Sequence, residues 1–149
     1  MEIDLQEKEL LIREIKALTG QLQGETRNKY ISLLESLEKG EVPEELMGYV
    51  ERLLEIGFET GRIGKVYDRE DEQVFLRIYH KTLRGSRILS LIKETNRSLT
   101  TLKDQLIRNI SFSLKNPGAY RLTIDTHLCH IILGIDADGA RIENIEVGI

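Results

Sequence analysis

The hydrophobic period of this chain changes once, at Arg108, from 3.6 residues to 2. Apolar side chains spaced at 3.6 can share a core only as helix faces, and those spaced at 2 only as sheet faces. A single switch therefore segregates the two kinds of element along the chain. The fold class that follows is α+β, with an N-terminal helical region of four to five helices and then a small four-stranded antiparallel β-meander.

Residues 3–22 repeat Leu11, Ile15, Leu18 and Leu22 at the helical period, and Gly20 and Gly24 punctuate the end. A second helix over 25–38 presents Tyr30, Leu33, Leu34 and Leu37. Pro43 opens a third, with Glu44 and Glu45 suited to the positive end of its dipole. Gly57, Gly61 and Gly64 either permit a close backbone approach on its apolar stripe or end it near Gly57. Arg62–Tyr67 and Val74–Tyr79 could form a hairpin around Asp68–Glu72, but Asp68 followed by acids is also a helix start, and helix is preferred. Gly85-Ser86 is expected to break that helix, with Ser86 capping the next. Ile88, Leu91, Ile92, Leu99, Leu102 and Leu106 then form a stripe over 87–107.

Beyond Arg108, Ile110, Phe112 and Leu114 alternate with polar residues, the pattern of a half-buried strand. Asn116-Pro117-Gly118 is a turn, and Tyr120, Leu122 and Ile124 mark a second strand. One strand running from 119 to 136 would span about 60 Å, so a turn must fall near Asp125–Leu128. A central strand over 129–135, a turn at Asp136–Gly139 and a last strand carrying Ile145, Val147 and Ile149 complete the meander. The expected division is a helical region 1–107 and a sheet region 108–149, packed as one unit.

With 149 residues, one cysteine and 40% hydrophobic residues, the chain needs no disulfide framework to bury a core. No apolar run approaches the ~18 residues of a membrane span, and the acidic start is wrong for a secretory signal. The expectation is a cytoplasmic protein with no membrane association. Its net charge of −4 is an average over unlike parts: −7 in residues 1–60, +6 in 61–117 and −3 in 118–149. Such asymmetry marks either an interaction surface or acidic and basic segments that meet inside one fold or across a homodimer.

Two constellations could carry chemistry. Arg77, His80, Lys81 and Arg84, continued by Arg87, lie opposite the apolar face of their helix, a row that could follow phosphates of a nucleic acid or bind another anion. No helix-turn-helix, zinc-finger or ribonucleoprotein motif accompanies it. After His80, arginine stands at four residues and glycine at five. That is one step off the spacing of a histidine phosphotransfer motif, a rotation of about 100° on a helix, so the motif is not matched. His127, Cys129 and His130, with Asp125, are weak metal candidates. The strand arithmetic instead puts Cys129 on an apolar face with Ile131 and Leu133, so neither metal nor cofactor is expected. Phosphate loops and serine-hydrolase elbows are absent.

These features favour a non-enzymatic protein-interaction or regulatory module that self-associates as a homo-oligomer through its helical stripes, with a further protein partner compatible. Nucleic-acid binding through residues 77–87 is one alternative. An enzyme or ligand-binding protein with His80 or His127 in a cleft is another.

Overall fold

The computed structural model describes residues 1–148; Ile149, expected at the end of the last strand, lies outside the described residues. Six helices precede a four-stranded sheet: α1 Leu5–Thr19, α2 Gly24–Glu38, α3 Glu44–Glu59, α4 Arg62–Val66, α5 Arg69–Lys81 and α6 Leu83–Leu99, then a 3₁₀ turn Thr100–Leu102. The strands are β1 Ile107–Asn116, β2 Ala119–Thr126, β3 Cys129–Asp136 and β4 Gly139–Val147. They pair antiparallel in the order β1-β2-β3-β4. The architecture is the expected α+β, with one short helix more than the sequence pattern indicates.

The chain divides into two compact units, the first ending at Ser86 and the second starting at Arg87. Most of α6 thus belongs with the sheet in the second unit, where Thr95 bonds to Ala140 and Leu99 joins the apolar cluster. Each unit has a separate apolar cluster.

In the first unit, α1 starts at a capping box: Asp4 accepts from the Glu7 amide and Glu7 accepts from the Asp4 amide, both at 2.8 Å. The cap and Gly20 trim the expected span at both ends. Leu11, Ile15, Leu33, Leu37, Leu54 and Phe75 are among the fully buried side chains at its centre. Two of the three glycines have distinct roles. A Cβ at Gly57 would lie 2.6 Å from Ile63 Cδ1, so this glycine admits α4. Gly61, at φ +68°, makes the left-handed turn that ends α3. Residues 69–81 are helical rather than part of a hairpin, since Asp68 accepts from the Asp71 amide at 2.9 Å and Val74, Phe75 and Ile78 are buried.

The next break does not fall at Gly85-Ser86 as expected. Thr82 leaves the helical conformation (φ −74°, ψ 166°), and its hydroxyl accepts from the Gly85 amide at 3.2 Å, capping α6 four residues before Ser86. Gly85 lies inside α6 because a Cβ there would sit 1.8 Å from the Tyr79 carbonyl oxygen. At its other end α6 stops at Leu99, and Asp104 takes a positive φ of 61° as the chain turns toward β1. Leu106, expected on the helical stripe, is exposed outside the helix.

In the second unit, Leu99 and Leu102 pack with Leu122, Ile124 and Ile142 against buried Cys129, Ile131 and Leu133. Thr95 donates to the Ala140 carbonyl at 3.0 Å, tying α6 to β4. A bulge leaves Glu143 without a partner in β3, since Ile132 opposes Asn144 and Leu133 opposes Ile142. β1 is the main departure from expectation. Every residue of it is exposed, where the alternation suggested a half-buried strand.

Candidate functional site

The basic row is divided between two helices. Arg77, His80 and Lys81 lie on α5, whereas Arg84 and Arg87 lie beyond the Thr82 break on α6. Lys81 Nζ reaches Glu7 Oε2 at 2.7 Å, and Glu7 is only 1% exposed. Arg84 Nη1 meets Glu55 Oε1 at 2.8 Å while its amide donates to Glu51. Arg77 faces Asp4 at 3.9 Å. Arg62 and Tyr67 both donate to buried Glu14, at 2.6 and 2.8 Å, and burial followed by that carboxylate holds the Tyr67 phenol above its ordinary pKa. Each of these cations comes from the basic middle segment and each acid from residues 1–60. Four cations of the middle segment thus meet acids of residues 1–60 inside the first unit, and Lys81 and Arg84 are held by carboxylates that a phosphate would have to displace. His80 is half-buried and Arg87 exposed.

Asp125, His127, Cys129 and His130 all line one open pocket, though in different surroundings. Cys129 is buried on the apolar face, with Thr101 Oγ1 at 3.9 Å from its sulfur. His127 is exposed in the β2–β3 turn. His130 Nδ1 bonds Asp125 Oδ1, and Asn109 donates to the other Asp125 oxygen at 3.2 Å. The His130 contact and then the Asn109 bond hold the Asp125 carboxyl below its ordinary pKa. The register sets Asn109, Asp125, His130 and Glu146 in one row across all four strands. Among the described residues, no three His, Cys, Asp or Glu side chains are arranged to hold a metal ion. Nor is any helix long and apolar enough to cross a membrane.

The feature that stands out is one that sequence inspection did not single out. The register puts Ile110, Phe112 and Leu114 of β1 opposite Ile124, Leu122 and Tyr120 of β2, and these opposite Ile131, Leu133 and Ile135 of β3. Residues directly opposite in an antiparallel pair point to the same side, so all nine share one apolar face. Burial on that face is uneven. Ile131 is 0% and Leu133 4% exposed, whereas Ile110 is 57%, Phe112 62%, Leu114 64% and Tyr120 40% exposed. Phe112 and Tyr120 stack across the strands, ring centroids 5.3 Å apart and planes 14° from parallel, and no layer of the described residues covers them.

The cause is width. A helix is about 10 Å across and strands are about 4.8 Å apart, so one helix covers roughly two strands. α6 bonds to β4 and its continuation packs around β3, leaving β1 and the adjoining part of β2 open. The signal was available in the sequence: four strands follow the helices, and a single helical stripe directly precedes them. Comparison with protein-family models, with curated proteins and with solved structures finds no match to this chain.

Proposed function

We propose that this chain is a self-associating protein-interaction module whose contact surface is the open apolar half of its sheet. One observation carries it. Four large apolar side chains on adjacent strands, Ile110, Phe112, Leu114 and Tyr120, stand at least 40% exposed on the same face as a buried core. Contiguous apolar patches on a monomer rarely exceed a few hundred Å², and larger ones mark interaction sites. The helical stripe at Leu99 and Leu102 supports an internal role instead, since both residues pack into the core of the second unit. Ile92 of that stripe is 40% exposed, but four apolar side chains of the sheet face are exposed to that extent or more, and this favours the sheet face as the contact surface. The engagement of Arg77, Lys81 and Arg84 with carboxylates favours this function over nucleic-acid binding.

Size-exclusion chromatography with light scattering tests it over a concentration series. The expected mass is about twice the 17.1 kDa of one chain, or a higher multiple. Phe112→Glu combined with Leu114→Glu should give a folded monomer, because both positions are mostly exposed within one chain. A wild-type monomer at every concentration would rule the function out.

A further inference from the structure

Resting on the self-association proposed above, we infer that the occupant of the open half-face is a second copy of this chain, packed face to face. Each copy's β1–β2 ribbon fills the space beside the other's α6. The layer heights agree: a helix is about 10 Å thick, and two packed sheets also lie about 10 Å apart. A sheet laid on β1 and β2 therefore sits level with the part of α6 beyond Arg87 that covers β3 and β4. A two-fold axis through the Phe112–Tyr120 stack satisfies both copies at once, because the same patch meets itself.

The area fits as well. Ile110, Phe112, Leu114 and Tyr120, at 40–64% exposure, present roughly 400 Å² of apolar surface. A stable interface buries about 800 Å² per partner, apolar at its core with a polar rim. The patch supplies about that core.

Pairing of two β1 edges is the competing arrangement. β1 runs in unbroken register from Asn109 to Leu114, and centring it on Phe112 would set Ser111 opposite Ser113 of the second copy. Edge pairing adds only lateral neighbours, however, and leaves the tops of Phe112 and Leu114 in water. Face-to-face packing removes them from it, and apolar burial is the larger driving force.

Cross-linking with a short bismaleimide separates the two arrangements. One double variant carries Ile110→Cys and Leu114→Cys on the apolar face; the other carries Ser111→Cys and Ser113→Cys on the opposite face. All four positions are exposed, and native Cys129 is buried and so silent toward the reagent. Each variant is first confirmed dimeric by light scattering. The expected result is rapid linkage at 110/114, with at least tenfold slower linkage at 111/113. Dimers that link through 111/113, or through neither pair, overturn the face-to-face arrangement and leave self-association standing. A wild-type chain that stays monomeric at every concentration overturns both.

Discussion

β1 and β3 contribute apolar side chains to one face of one sheet, yet Phe112 is 62% exposed and Ile131 not at all. The strands differ in what lies over them, and much less in what they are made of. β3 is central, flanked by β2 and β4, and Leu99 and Leu102 close its apolar side. β1 is an edge strand, and every residue of it is exposed among the described residues. The outer edge of β4 is guarded in the ways edge strands commonly are. Arg141 and Glu146 place charge along it, and the bulge at Glu143 interrupts its ladder. β1 has Arg108 and Lys115 only near its ends, and between them Asn109–Leu114 runs without interruption. The proposed self-association would use this stretch, which combines such an edge with such a face.

The comparison breaks most sharply under truncation of the covered half. Leu133→Ala removes a side chain that is 4% exposed and sealed beneath Leu99 and Leu102. Lost transfer energy together with the cavity should cost about 2–5 kcal/mol. Hydrogen exchange at the β3 amides reads this locally, which suits a chain of two units whose unfolding need not be a single step. A loss below about 1 kcal/mol would mean that α6 does not seal β3.

Phe112→Ala is the matching truncation on the open half. At dilutions where the chain is monomeric it should cost less than about 1 kcal/mol, the worth of a cross-strand pair such as its stack on Tyr120. At concentrations where self-association holds, the cost should rise toward that of Leu133→Ala. A cost independent of concentration would show that Phe112 gains no cover from a second copy.

How much of this was legible depended on the range of the interaction. The β-meander, its turns and the burial of Cys129 follow from period and chain length, which are local. The Asp68 cap is local too, as it needs only a carboxylate three residues before an open amide. The break at Thr82 was misplaced because Gly85 looks like a helix breaker. Its glycine is required by the Tyr79 carbonyl, a contact set by how tightly α5 turns into α6. The half-buried assignment of β1 failed for a related reason. Alternation states that a strand has two faces but not whether anything covers the apolar one. The partners of the basic row on α5 and α6, Glu7, Glu55 and Asp4, were not legible because they stand 29 to 74 residues away in sequence.

The polar side of the sheet offers the finest test, since it spans covered and open strands alike. Asp125 on β2 receives the Asn109 amide from β1 and bonds His130 on β3, so one carboxylate joins both halves. These contacts hold its pKa below the ordinary value of 3.8, which means the folded state favours the ionised form. A carboxyl whose folded pKa is depressed contributes stability that is present above its unfolded pKa. That stability is lost as pH falls through the folded value. The difference in unfolding midpoint between wild type and Asp125→Asn should therefore hold steady just above about pH 4 and shrink as the solution is acidified below it. Hydrogen exchange resolved by strand adds the comparison. If Asp125 joins the halves, acidification should loosen the β1 and β3 amides next to it together. If β1 loosens alone, the carboxylate serves the open half only, and the covered half keeps its order through α6.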